Sequence, residues 1–363
     1  MKWNNSYRVA HQIKRNHGNA IPRLCVFVDT ETRGSPHPTD KNATYQDLFF
    51  GWACFSARYN GNSWGEPQWF RFETPQQFWD WLVSLSYKRT KLMVYAHNWS
   101  FDAQVLGAVD ELHNRGWTMV NPIIDSKLFS IKWRLENRTI HLVDTMNYFS
   151  MSLAALGDSV GSKKLPMPQA SSPIEEWDEY CKQDVEVIRK AMIGWFNFIR
   201  EEDLGTTSIT LSGQSWNAYR HKFMKHPIYV GTNRTELLHS RASYAGGVNL
   251  MFKFGPVREH VYCLDINSMY PYIMSRHLFP SKMITTYRNR SFEDFKDDVF
   301  SHLLVADVQL HTDKPYYGIH YNSRLVFPIG SFRAILSTGE LRDAMSRGHI
   351  SNYYQAVVYA GHP

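Results

Sequence analysis

The sequence has little that would tie a fold together by cross-links. Its 363 residues include four cysteines, Cys25, Cys54, Cys181 and Cys263, far apart and without a CxxC pair. That argues against a zinc site and a disulfide framework, and it fits a reducing compartment. No run of about 18 apolar residues occurs, so no membrane span is expected. The stretch from Met1 to Ala20 is polar and basic, without the apolar segment of a secretory leader. The expected location is therefore cytoplasmic, not secreted. Internal repeats and low-complexity tracts are absent. An acidic excess is missing too: 40 Lys and Arg stand against 34 Asp and Glu, a formal charge of +6, which suits a polyanionic partner.

What is present can bury a core. Hydrophobic residues make up 43% and charged residues 20%, and the length allows two or three domains. The many Trp, Tyr and Phe rings belong mostly to that core, with some free to stack on unpaired bases. Arg23–Glu31 reads as a strand, with Phe49–Tyr59 pairing beside it, and Lys91–Ala96 as a second core strand. Helices are expected over Pro75–Ser86 and Phe101–Leu112. Leu128–Leu135 and Arg138–Asp144 alternate apolar and polar residues around Glu136-Asn137, a hairpin pattern. A long amphipathic helix is expected within Ser171–Arg200, from the spacing of Trp177, Cys181, Ile188, Met192 and Trp195. The polar run from Gly205 to Ser208 marks a boundary, giving domains at 1–205 and 206–363. Beyond it, strands are expected at Val261–Ile266, Leu303–Leu310 and Tyr354–Tyr359. A helix should start at Ser337 by its Ser-x-x-Glu capping spacing.

Three acidic patterns follow one another in the first half: Asp29-Thr30-Glu31, Asn98-Trp99-Ser100-Phe101-Asp102, and Tyr180-Cys181-Lys182-Gln183-Asp184. Residues two apart in a strand share a face, so Asp29 and Glu31 project together. Tyr180 and Asp184, four apart, share one face of a helix. Taken singly, each acid has a plainer reading as a turn cap, a helix N-terminal residue or a solvated side chain. Taken in order, Asp29, Glu31, Asp102 and Asp184 make a set suited to two Mg²⁺ or Mn²⁺ ions, held about 3.5–4 Å apart for phosphodiester cleavage. Tyr180 is the candidate for orienting the attacking water. Asn98 and Phe101 are candidates for contacting a frayed DNA strand. In the second half an apolar run delivers Asp265 to its end, and Ser268–Pro271 reads as a tight turn into a helix. An aspartate and turn of this kind suit a metal and a nucleotide triphosphate. The plainer alternative is a buried strand with a capping Asp.

The trio resembles the Exo I (DxE), Exo II and Exo III (Yx3D) motifs of the 3′–5′ exonuclease of family B DNA polymerases. Val261–Pro271 resembles polymerase motif A, with Met269 for Leu, and Tyr244-Ala245-Gly246-Gly247 resembles the YxGG motif of the protein-primed subgroup. The resemblance implies an α/β chain: an RNase H-like 3′–5′ exonuclease domain followed by an incomplete family B polymerase palm. It implies two-metal hydrolysis of a DNA 3′ end, with single-stranded DNA or a primer end as partner. It also implies single-strand binding at Thr145, in Asp144–Tyr148, and a catalytic lysine at Lys163 or Lys164. Asp265 would hold metal, Ser268 and Tyr270 would contact the incoming nucleotide, and Tyr244, Gly246 and Gly247 would contact template backbone. Motif B (Kx3NSxYG) and motif C (YxDTD) do not occur after Tyr270. Synthesis is thus expected to need a further chain or the rest of the protein, and a terminal protein is a further candidate partner. A phage or mobile-element origin is what the resemblance suggests, with a host-cytoplasm location if viral. Two alternatives are a free-standing RNase H-like DNA exonuclease and a non-catalytic DNA-binding subunit of a split polymerase.

Overall fold

The computed structural model describes residues 11–36, 44–59, 63–125, 128–230, 233–247, 251, 253–322 and 324–362. The described residues divide into two compact units: Ile13–Ile228, and a second that runs from Tyr229 onward together with His11 and Gln12.

The first unit is built on a seven-stranded mixed sheet. Its strands are β1 (Leu24–Pro36), β2 (Thr44–Ala57), β3 (Gln68–Phe72), β4 (Lys91–Ala96), β5 (Thr118–Ile124), β6 (Phe129–Leu135) and β7 (Arg138–Asp144). They lie in the order β3-β2-β1-β4-β7-β6-β5. The three central strands β1, β4 and β7 are parallel, and the outer ones antiparallel. Central parallel strands are covered on both faces and read as continuous apolar runs, as Cys25–Val28 and Leu92–Ala96 do.

Side-chain alternation divides these runs between two cores. Val26, Val28, Leu92 and Val94 face Phe78, Trp79, Trp99 and Trp133. On this side lie α1 (Pro75–Ser84), α2 (Trp99–Val105) and α3 (Ala108–Asn114). Cys25, Phe27, Met93 and Tyr95 face Ile188, Met192 and Phe196, which belong to the long α5 (Ile174–Glu201). The short α4 (Leu153–Ser159) packs on α5. Local chemistry sets the helix starts: Thr74 and Gln77 form a capping box around α1, with Pro75 at its first turn, as that motif requires. The single helix expected over Phe101–Leu112 is two, α2 and α3, because Gly107 adopts a left-handed φ of +56° between them.

At Gly51 the sheet admits no side chain: a Cβ there would lie 2.2 Å from the Phe72 ring and 2.9 Å from the backbone oxygen of Asp29.

The first unit continues past residue 205. α6 (Leu211–Ala218) belongs to it. Gln214 Nε2 donates to the Leu204 carbonyl at 3.1 Å, Thr207 N donates to the Ala20 carbonyl at 3.0 Å, and Tyr148 Oη donates to the Ser208 carbonyl at 2.8 Å. Gly205–Ser208 is therefore a stapled turn inside the unit, not a linker.

The second unit begins with α7 (Arg234–Ala242) and α8 (Met269–Arg276). Its antiparallel sheet has four strands, β8 (Phe279–Tyr287), β9 (Leu303–Thr312), β12 (Gly330–Ser337) and β13 (Ile350–His362), in the order β8-β13-β9-β12. Between β9 and β12 lies a small hairpin, β10 (Ile319–Tyr321) with β11 (Arg324–Val326). Helices α9 (Phe292–Ser301) and α10 (Thr338–Ser346) bury Phe295, Val299, Leu341 and Ala344 against the sheet. The capping box at Ser337 and Glu340 is present.

The expected strand Val261–Ile266 does not form. The segment is irregular, and Val261, Tyr262, Leu264 and Ile266 are all strongly exposed. A strand needs a hydrogen-bonding neighbour, and among the described residues none pairs with it.

Candidate active site

Pairing of β1 with β4 ends at Phe27 opposite Tyr95. Beyond that point the strands part, and Asp29 and Glu31 continue the row of Cys25 and Phe27 towards α5. There they meet Tyr180, Cys181 and Asp184, which are all buried on one stretch of that helix. Cys181 Sγ lies 3.7 Å from Asp29 Oδ2. Thr30 points to the opposite face, where its hydroxyl donates to Asp102 Oδ1 at 2.7 Å. That bond ties the first turn of α2 to the acidic strand.

The grouping shows in the electrostatics. Burial raises the Asp29 carboxyl well above the usual range, and the charges of Asp102, Asp184 and Glu31 raise it further. Glu31 is pushed up to about 7, by burial first and then by Asp184. Burial likewise lifts Asp102 to about 7 against the opposing Thr30 hydrogen bond, and it raises Asp184 despite Lys164. Four acids that resist ionisation together form a site that attracts cations. Among the described residues, ligand atoms of Asp29, Glu31 and Cys181 all lie within 4.8 Å of one another. Asp184 Oδ1 is buried with no hydrogen-bond partner. The carboxylate oxygens of Asp29, Glu31 and Asp184 suit a divalent cation bound through oxygen.

Of the two lysines, Lys164 reaches the cluster. Its ammonium group pairs with Asp184 Oδ2 and lies 4.3 Å from the Tyr180 ring centre. Burial opposes its charge, but the bonds to Asp184 and Tyr180 outweigh that and raise its pKa. Lys163 is exposed, and its backbone carbonyl accepts from Gln183 Nε2 at 2.8 Å. Of these two candidates, only Lys164 is placed against Asp184, and Lys163 faces outward.

Asn98 sits in the left-handed region, φ +75°, at the start of α2. Its side chain makes no cap. Instead the Asp144 carboxylate, at the end of β7, accepts from the backbone N–H of Asn98, Trp99 and Met146 at 3.0, 2.8 and 2.9 Å. The Asn98 side chain is thereby left exposed, beside Phe101, which is 38% exposed. Next to them, Asn98, Ser100, Phe129, Asp144 and Met146 line a cleft of about 410 Å³. Thr145 is fully buried and does not face this cleft: its hydroxyl donates to the Ala96 carbonyl at 3.2 Å, and its oxygen lies 2.9 Å from His97 Nδ1. Its place is therefore to hold the end of β4, and Met146 is the residue of that motif that is exposed.

Sequence reasoning missed Thr30, Asp144 and Cys181 as parts of the site. Only Cys181 carried a readable signal, its three-residue spacing from Asp184 on the same helix.

In the second unit, Ser268 has a φ of +54° just before α8. Tyr270 Oη lies 4.0 Å from where a Gly247 Cβ would stand, and Gly246 has a φ of +75°. Tyr244 is exposed, and its carbonyl accepts from His320 Nε2 at 3.0 Å. Asp265 is exposed, and among the described residues it belongs to no metal-ligand cluster.

A family model for DNA polymerase type B, organellar and viral, matches residues 163–362, more than half of the chain. The chain belongs to this family. A probable DNA polymerase from Neurospora intermedia is 22% identical over 201 residues, covering 51% of this chain and 20% of that protein. Phi29 DNA polymerase complexed with primer-template DNA superposes with a TM-score of 0.60 at 14% identity, over 94% of this chain and 61% of that one. Its orthorhombic crystal form gives 0.64 at 15% identity, over 94% and 62%. The chain thus spans less than two thirds of either relative. The fold is that of a type B polymerase over this region: the RNase H-like α/β unit, then an incomplete palm. No helix among the described residues is long and apolar enough to cross a membrane.

Proposed function

We propose that this chain is the part of a type B DNA polymerase that removes nucleotides from a DNA 3′ end. The observation that supports the reading is the grouping of Asp29 and Glu31 beside α5, where the charges of Asp184 and Asp102 act on both and burial opposes the ionisation of all four. These residues would hold two Mg²⁺ or Mn²⁺ ions, which when bound supply Lewis-acid activation of water and of the scissile phosphate. Tyr180, beside Lys164, would orient the water through its hydroxyl. The Lys164 ammonium group would offset negative charge near the phosphate. Exposed Asn98 and Phe101 would bind the terminal nucleotides by hydrogen bond and stacking. In the second unit we assign Asp265, Ser268 and Tyr270 to nucleotide binding, and Tyr244, Gly246 and Gly247 to template backbone. Those roles await motifs B and C, which this sequence does not contain.

The test uses a single strand labelled at its 5′ end, with Mg²⁺ and the purified chain. The expected product is a ladder shortening from the 3′ end. It should be lost on chelation and in the Asp29→Ala/Glu31→Ala double variant, with the circular dichroism spectrum unchanged. Internal cutting, or equal degradation by the double variant, refutes the reading. With all four nucleotides and a primed template, shortening without growth is expected.

A further inference from the structure

The positive charge of the chain is unevenly spread. The stretches 86–91 and 132–138 carry six cations, Lys88, Arg89, Lys91, Lys132, Arg134 and Arg138, against one acid, Glu136. That surplus of five nearly equals the +6 of the whole chain. Strand pairing brings the two stretches together. Lys91 opens β4 beside Thr139 of β7, and Arg134 of β6 flanks Thr139 from the other side. Lys132 stands opposite His141, one row further along. Paired residues share a face of the sheet, as do residues two apart in a strand, so Lys91, Arg134 and Lys132 lie together on one face. The loop before β4 is fastened to the hairpin turn: Arg89 N donates to the Asn137 carbonyl at 2.7 Å, and Lys88 Nζ lies 3.7 Å from Glu136.

These charges go uncompensated. Among the described residues, Lys88 with Glu136 is the one ion pair that the six cations form. Burial lowers Lys91 below its ordinary range, and Lys132 and Arg134 lower it further. His141, 5% exposed, is pushed down to about 3 by burial and then by Lys91 and Lys132. Separately, Arg138 keeps its Nε buried without a hydrogen-bond partner. Trp133, between Lys132 and Arg134, is buried in the core on the other face, so these rows offer charge without a ring for an unpaired base. They stand at the starts of β4 and β7, whereas Asn98 follows β4 and Asp144 ends β7. At about 3.3 Å per residue the two ends lie about 15–20 Å apart.

We propose that this basic end of the sheet is a second DNA-binding surface, which holds the phosphate backbone of double-stranded DNA without reading its sequence. A duplex hides its base faces and presents one charge per about 1.7 Å of its axis, which matches a surface of charge without rings. The inference goes beyond the cleavage reading and does not depend on it.

The probe is a short blunt duplex labelled with fluorescein. It is titrated with the full chain in chelator and followed by anisotropy, at salt from about 50 to 200 mM. Lys91→Gln/Lys132→Gln/Arg134→Gln should weaken binding about 10–100-fold at the low-salt end. It should also make log affinity against log salt shallower by about 2.7, for three phosphates no longer neutralised. Lys132→Arg/Arg134→Lys keeps the charge and should bind like the parent, whatever the duplex sequence. If the neutral variant melts below the parent, exposed Arg134→Gln alone carries the test, with a slope change of about 0.9. Unchanged duplex titrations overturn the proposal, as does a loss confined to single strands. Polyglutamate competing as well as duplex, charge for charge, overturns it in favour of an acidic protein segment. Cleavage of a short single strand should keep the parent's rate in the neutral variant, and a matching loss there would overturn the separateness of the surface. Weakened duplex binding in a chain that never cleaves supports this surface and refutes only the nuclease reading.

Discussion

Glu31→Gln is expected to stabilise the metal-free protein at about pH 8, although it removes a residue from the centre of the site. The folded protein holds the Glu31 carboxyl at about 7 against an ordinary 4.5, because burial and then Asp184 oppose its charge. The residue is 8% exposed, so solvent screening is slight. A carboxyl whose folded pKa is raised adds no penalty below its unfolded value and its full penalty above its folded one. The stability cost therefore grows through the window from 4.5 to about 7. Two and a half pH units correspond to roughly 3 kcal/mol near pH 8, falling to about 1 kcal/mol near pH 5. Glutamine keeps the shape and drops the charge, which also relieves Asp29. For a unit of this size, a gain of about 1–3 kcal/mol raises the melting temperature by about 2–10 °C. The assay is thermal melting followed by tryptophan fluorescence in a chelator, across about pH 5 to pH 8. The variant should melt above the parent at the alkaline end, and the gap should close towards the acid end. Saturating Mg²⁺ should stabilise the parent more than the variant, by about 2.7 kcal/mol at a hundredfold excess over Kd, and so close the gap at about pH 8 too. A variant that melts at or below the parent throughout, in chelator, would refute the electrostatic argument.

Tyr180→Phe should slow cleavage by about 10–100-fold, since the hydroxyl positions a reactant. Single-strand affinity, measured by fluorescence anisotropy, should stay nearly constant, and lost affinity with an intact rate would mean that the ring only packs. Phe101→Ala should weaken single-strand binding by ~1–3 kcal/mol with little base preference, and binding by the parent should fall as salt rises. Unchanged anisotropy titrations would remove Phe101 from the binding surface. Asp144→Ala leaves the backbone N–H groups of Asn98, Trp99 and Met146 without their acceptor, and should cost about 2–4 kcal/mol in urea denaturation. A loss under about 0.5 kcal/mol would mean that water serves those groups equally well.

The parallel core strands were legible because strands covered on both faces leave an unbroken apolar run, and Lys91–Ala96 has the bounds its sequence suggests. The shared faces of Asp29 with Glu31 and of Tyr180 with Asp184 were legible because strand and helix periods fix which residues lie together. Two expectations failed, and one choice stayed open, for reasons that lie outside local pattern. Gly205–Ser208 has the composition of a linker, but its backbone is bonded to segments about sixty and nearly two hundred residues away. Val261–Ile266 has the composition of a strand, but composition cannot supply a neighbour to pair with. Lys163 and Lys164 are indistinguishable by type, and only the path of the turn into α5 decides which reaches Asp184. Asp144 was hidden for a related cause: besides the local amide of Met146, it serves the backbone amides of Asn98 and Trp99 some forty-five residues away, which no side-chain motif encodes.

Gly51 limits how this chain can vary. It bears no functional group and lies on β2, outside every acidic motif. Yet any side chain there would have to push aside the Phe72 ring or the backbone of Asp29. The first would disturb the edge of the sheet, and the second would shift the carboxylates of Asp29 and Glu31 relative to α5. The tolerance of the chemistry for change is thus set in part by a chemically silent position. Drift at Gly51 would be read by selection as a defect in the site, and a designer moving these acids to another scaffold would have to carry the glycine with them.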